Sequence, residues 1–360
     1  MEFNLSEEQQ MLQQSTRELM EKESPLEAAR SVMEDSPEGY SKALFAQLAE
    51  LGYFGLLLPE DQDGADMGLL GLVAVLEELG RAAYPGPYLD AVLGIDLLRR
   101  SQGSEAADWL SRAASGEALV ILARREGLGI ETGSAPSVTF RDGKVSGSKQ
   151  LIPYGSSADA LIVSTAQGLV LVPRPDAGWN ATAIPTMDHA QRLVEIQFDA
   201  PGTLLADRTA ATPIIEAADR VAALGSAALL LGAMARSLDM AIDYMMEREA
   251  FGTVIAAFQA LQHRAADMLL RTEATRAAVH RAAWAADAEQ ADARLLVATA
   301  KVYAVESSNL VCRENIQMHG GVGYTWEYDP HIFLKRVKTL EQLYGTSREM
   351  LDVVLAEKGV

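Results

Sequence analysis

The spacing of apolar positions changes twice along the chain. From about residue 5 to 115 it is helical, with Leu5, Met11, Leu12 and Leu19 on one face and Phe45, Leu48, Leu51 and Phe54 on another. Ser6-Glu7-Glu8-Gln9 has the form of a capping box ahead of the first helix. Leu51-Gly52-Tyr53-Phe54-Gly55 ends a helix, and Pro59 after it opens an extended piece and the loop 61–68. A long apolar helix follows, ending at Leu79-Gly80.

Short apolar runs then replace the helical spacing, at 118–122, 137–140, 144–148, 160–163, 169–172 and 193–198, bounded by Gly, Pro, Asp and Asn. Asp142-Gly143 between two of them predicts a hairpin. Helical spacing returns from Pro213, in Ala-rich segments over about 214–249, 258–288 and 291–317 and shorter ones over 330–344 and 346–357. Small residues such as Ala222, Gly225, Ala228 and Gly232 allow close helix approach, as in a bundle. The expected architecture is α+β: an N-terminal helical domain over 1–117, a middle antiparallel β-domain over 118–212 and a C-terminal four-helix-bundle-type domain over 213–360.

Composition narrows the function classes. With 49% hydrophobic residues among 360, the chain can bury a large interior. A formal charge of −19 disfavours binding to a phosphate backbone, so no nucleic-acid partner is expected. One cysteine, Cys312, cannot form an internal disulfide, which fits a reducing compartment. The acidic start, Met1 to Glu8, has neither an apolar signal core nor an Arg-rich transit pattern, and no uninterrupted apolar run approaches a membrane span. A cytoplasmic location is expected. His319 and His331 lack a His or Cys at ligand spacing, so no metal site is expected.

Two stretches carry the chemical signal. Tyr244-Met245-Met246-Glu247-Arg248-Glu249-Ala250-Phe251-Gly252 leads to Phe258-Gln259, and Gln317-Met318-His319-Gly320-Gly321-Val322-Gly323-Tyr324-Thr325-Trp326-Glu327 lies downstream. An arginine offers a planar fork of donors to a pyrophosphate, and a Gly-rich turn lets backbone approach a bulky ligand. Together these stretches resemble the C-terminal domain of the acyl-CoA dehydrogenase family, and the resemblance extends over nearly the whole chain. It implies FAD as cofactor, an acyl-CoA thioester as substrate and electron transfer to an electron-transferring flavoprotein. It also implies that Arg248, Phe251, Gln259, Gln317, Gly320 and Gly321 hold the pyrophosphate and adenosine end of the FAD of a neighbouring subunit.

The chain departs from the family at the flavin ring and at the base. The family's Thr-Glu-Pro to Gly-Ser-Asp segment is replaced by Ala123-Arg124-Arg125-Glu126-Gly127-Leu128-Gly129. The next segment is kept in part as Gly147-Ser148-Lys149, but continues Gln150-Leu151-Ile152-Pro153-Tyr154 without a Thr. The family removes an α-proton with a carboxylate while a hydride passes to flavin. In many members that Glu directly precedes Gly-Thr of the last helix connection, where this chain has Tyr344-Gly345-Thr346. The base is therefore unknown. Glu341, one helical turn before Tyr344, is the first candidate, with Asp219 and Tyr344 behind it; a tyrosine near its ordinary pKa of about 10 is a poor base for this proton. Groups that would serve a neighbour's FAD survive, and those for this chain's own ring and base are altered. That pattern is expected of the non-catalytic half of a hetero-oligomeric dehydrogenase, of the kind that degrades steroid side chains and other bulky thioesters. A self-sufficient homo-oligomer with a displaced base, or a scaffold that kept the fold, are the alternatives.

Overall fold

The computed structural model describes residues 4–127, 136–176 and 178–359. Among them are helices α1 (Glu7–Glu23), α2 (Leu26–Asp35), α3 (Lys42–Glu50), α4 (Gly68–Arg81), α5 (Tyr88–Arg100) and α6 (Ser104–Ala114). Strands β1 (Val120–Ala123), β2 (Thr139–Arg141), β3 (Lys144–Pro153), β4 (Ala160–Thr165), β5 (Gly168–Pro173), β6 (Ala181–Ile184), β7 (Leu193–Pro201) and β8 (Thr203–Asp207) follow. The chain ends in α7 (Arg208–Glu247), a small hairpin of β9 (Glu249–Ala250) and β10 (Thr253–Val254), then α8 (Gln259–Asp287), α9 (Ala293–His319), α10 (Pro330–Leu340) and α11 (Ser347–Lys358). Ser6 and Gln9 form the expected capping box on α1.

These elements fall into two compact units. One comprises Met1–Ala29, Leu69–Tyr84 and Ala223–Val360; the other comprises Arg30–Gly68 and Pro85–Ala222. The helical unit is built on the crossing of α4 with α7. At Gly80 an added Cβ would overlap the carbonyl of Leu229, and at Gly232 it would overlap that of Glu77, so only glycine permits this approach. The charged side chains of α4 are buried there with partners: Glu78 accepts from Arg17 Nε at 2.9 Å and Nη2 at 2.8 Å, and Glu77 is bridged to Arg276 of α8. Both α7 and α9 are long and apolar enough to cross a membrane by length and composition. The apolar window of α7 is 94% buried inside the protein, which makes it a core helix.

The second unit holds two four-stranded sheets, ordered β1-β4-β5-β8 and β2-β3-β7-β6. The β2–β3 hairpin turns at Asp142-Gly143, both with positive φ, as expected. One pairing departs from the antiparallel expectation: β1 and β4 run parallel, Val120 opposite Ala160 through Ala123 opposite Val163. The chain leaves β1, builds β2 and β3 into the other sheet, and re-enters beside β1 in the same direction; such a crossover is what a parallel pair requires. The helix expected from Pro213 starts earlier, at Arg208. Asp207 Oδ1 accepts from the amides of Thr209 and Ala210 at 2.9 Å, a cap that starts the helix upstream and leaves Pro213 inside it.

Candidate functional site

In the helical unit, α7 ends at Glu247 and the chain reverses in a two-residue hairpin. Thr253 pairs with Ala250 and Val254 with Glu249, and the amide of Ile255 donates to the carbonyl of Arg248 at 2.8 Å. Phe251 and Gly252 form the turn, with φ of 54° and 83°. Glycine takes such angles freely; for a phenylalanine they cost about 1–2 kcal/mol. The Phe251 side chain recovers little of this within the chain, because it is 96% exposed; its ring meets the edge of Phe258, with centroids 6.2 Å apart.

The second stretch is brought to the same end of the unit. Tyr244, one turn before Arg248, stacks on His319, the last residue of α9, and Tyr328 meets both rings edge-on. Ile255 and Ala256, just beyond the hairpin, pack on a core cluster that includes Met245 of α7 and Met318 of α9. Gly320 follows with φ of 66°, and an added Cβ at Gly320 or Gly321 would meet no atom of this chain. Arg248, Phe251, Gln259, Gln317, Gly320 and Gly321 are all exposed. A guanidinium, two amide side chains, an aromatic face and a Gly-Gly backbone are therefore all open to solvent at this end. That donor set suits a phosphorylated nucleotide tail.

The residues expected nearest a flavin ring lie in the other unit and are closed. Ile152 and Tyr154 are each 1% exposed. The Tyr154 ring meets Tyr40 edge-on, and its hydroxyl donates to the carbonyl of Ala190. Lys149 has a structural task. Its fully buried Nζ donates to Glu126 Oε1 at 2.6 Å, to the carbonyl of Arg124 at 2.8 Å and to Ser164 Oγ at 2.9 Å. Burial alone would raise the Glu126 carboxyl, but Lys149 and the amides of Ser137 and Val138 outweigh it and hold the group down to about 2. The retained Gly-x-Lys thus fastens segment 124–126 to β3. Leu128 and Gly129, the end of that segment, lie outside the described residues.

The candidate bases are occupied. Glu341 accepts from Asn309 Nδ2 at 2.8 Å and faces Lys338 Nζ at 3.3 Å. Asp219 is ion-paired to Arg124. Tyr344 is half-buried, in left-handed backbone with φ of 57°. Sequence reasoning passed over Lys301, a wholly buried lysine on α9. A lone Lys inside an Ala- and Val-rich helical stretch was the available signal.

Comparison with known proteins identifies the family. The family model for the acyl-CoA dehydrogenase C-terminal domain matches residues 216–358, and that for the N-terminal domain matches 6–117. The chain belongs to the acyl-CoA dehydrogenase family. It is 31% identical to acyl-CoA dehydrogenase IpdE2 of Mycolicibacterium smegmatis, over 98% of this chain and 99% of that one. It is 32% identical to the IpdE2 of Mycobacterium tuberculosis, over 96% of this chain and 95% of that one. Among solved structures it is similar to the Tcur3481–Tcur3483 steroid ACAD, at 27% identity and a TM-score of 0.88, over 99% of each chain. It is also similar to the ChsE4–ChsE5 complex from Mycobacterium tuberculosis, at 26% identity and a TM-score of 0.87, over 100% of this chain and 99% of that one. FAD is the cofactor of this family. The exposed residues of the helical unit are of types that suit its nucleotide end, whereas Ile152 and Tyr154 are buried.

Proposed function

We propose that this chain is a subunit of a hetero-oligomeric acyl-CoA dehydrogenase and completes the FAD site of a homologous, catalytic chain. The observation that carries the reading is Phe251. A strained, left-handed aromatic at a hairpin tip, 96% exposed, is a cost without return inside this chain. It is accounted for by contact with a ligand or partner outside it. Arg248, Gln259, Gln317 and the Gly320-Gly321 backbone are exposed with it and supply donors to a pyrophosphate. Large apolar side chains on the same unit, among them Met246, Leu270, Tyr324 and Trp326, are exposed too, which fits a surface covered in an assembly.

The partner supplies the base in this reading, since Glu341 and Asp219 are held by donors of this chain. The reaction is α,β-desaturation of an acyl-CoA thioester, with electrons passed to an electron-transferring flavoprotein. The similar Tcur3481–Tcur3483 steroid ACAD and ChsE4–ChsE5 complex, each a pair of chains, support a bulky acyl group and a paired assembly. The test is co-expression with a homologous catalytic chain. Flavin recovered with the pair is expected to be lost on Arg248→Ala or Phe251→Ala in this chain. Full flavin retention in both variants would overturn the assignment of these residues.

A further inference from the structure

Lys301 is 0% exposed and its Nζ joins three elements of the helical unit. It donates to Ser226 Oγ on α7 at 2.7 Å, to the carbonyl of Leu340, the last residue of α10, at 2.8 Å, and to the carbonyl of Leu343 in the following turn at 3.4 Å. Placing a cation in a dry interior costs several kcal/mol even after relaxation, and the usual remedy is a touching carboxylate. Here the acceptors are a hydroxyl and two carbonyls at the negative end of α10. The charged group that acts on it is Glu341, whose carboxylate is engaged by Asn309 and Lys338.

The turn held this way needs holding. Tyr344 and Gly345 both have positive φ, at 57° and 92°. A left-handed tyrosine persists only where its surroundings fix it from both sides. Downstream, Thr346 and Glu349 form the capping box that starts α11. Upstream, the carbonyl of Leu343 is held by Lys301 and its amide donates to the carbonyl of Thr339 at 3.2 Å.

We propose that Lys301 is a positioning residue that fixes the turn over residues 341–346, and with it the backbone direction at residue 344. An ammonium has three donors and serves all three acceptors; a neutral amine has two, so deprotonation releases the longest contact, to Leu343, first. Burial lowers Lys301 to about 7, with Glu341 opposing. The facing groups are Ser226 from α7, and from the end of α10 and the turn Glu341 with its partner Lys338. The turn is therefore firmest in mildly acidic solution and loosens as pH rises.

Hydrogen exchange of the peptide covering 341–346 tests this, at about pH 6 and about pH 9, corrected for the intrinsic pH dependence of amide exchange. In the wild type, exchange is expected to rise about tenfold between the two conditions, while the centre of α9 stays protected. Lys301→Met should exchange fast at both and show no step. Protection in Lys301→Met equal to the wild type at the lower pH, or a step that persists in it, would overturn the proposal. Should that variant fail to fold, Ser226→Ala removes one acceptor of the ammonium, so the step must move to lower pH; an unmoved step is contrary. The experiment uses this chain without flavin or partner, so its failure is distinguishable from failure of the hetero-oligomer reading.

Discussion

The ring of Tyr244 lies on that of His319, with centroids 4.3 Å apart and planes inclined by 23°. This contact sets the end of α7 against the end of α9, and so brings Arg248, one turn on, and the Gly320-Gly321 turn to the same end of the unit. His319 Nδ1 is further tied to the carbonyl of Asn315 at 2.9 Å, which fixes the ring plane. His319→Ala is expected to lower stability by about 1 kcal/mol, the worth of an aromatic pair beyond its buried area. It should also reduce flavin recovery from a co-expressed pair. Tyr244→Phe keeps the ring and should do neither. Denaturant midpoints and flavin content of the three proteins check this.

Phe251 separates stability from function. Phe251→Gly relieves the left-handed strain and should stabilise the isolated chain by about 1 kcal/mol. The same change removes the exposed ring and is expected to weaken the paired assembly. A thermal melt of the chain alone, set beside flavin content of the pair, reads both effects. Loss of stability in the isolated chain would show that the ring serves the fold instead.

Lys149 and Glu126 make the opposite case, a motif kept for structure. Lys149→Met leaves Glu126 in place without its ammonium and should cost about 3–5 kcal/mol, as removing one partner of a buried pair does. Urea unfolding measures it. The Glu126 carboxyl is depressed from 4.5 to about 2 in the folded chain. Its contribution is therefore complete above 4.5 and is lost as pH falls toward 2.

How much of this was legible in the sequence differs by element. The Asp142-Gly143 hairpin and the Ser6 capping box were, because each rests on local backbone chemistry. Strands β6, Ala-Thr-Ala-Ile, and β8 were not, because neither shows alternation; β6 is an edge strand paired only with β7. The parallel β1–β4 pair depends on where a distant strand returns, which local pattern does not encode. Arg248, Phe251 and the Gly320-Gly321 turn were legible as a motif. The strain and exposure of Phe251 were not, since Phe-Gly is not a standard hairpin signal. Lys301 was passed over because its partners are carbonyls that sequence does not mark.

His280 gives a pH signature. Burial, then Arg276, lowers it from 6.5 to about 4. The unfolded chain takes up a proton near 6.5 that the folded chain refuses, so the unfolded state binds more protons in this window. Stability is complete above 6.5 and is lost as pH falls toward 4, by about 3 kcal/mol. His319, also lowered by burial, acts in the same sense. Glu77, raised by burial, acts in the opposite sense. Comparison with His280→Leu therefore isolates the histidine: its urea midpoint should fall less on acidification than that of the wild type.

The flavin content of the chain purified by itself tests the central claim most directly. The proposed role in a partner's FAD site predicts a preparation with little FAD and no acyl-CoA desaturation, in contrast to the pair. A yellow protein with one FAD per chain that desaturates an acyl-CoA unaided would contradict it, and would point to a self-sufficient enzyme.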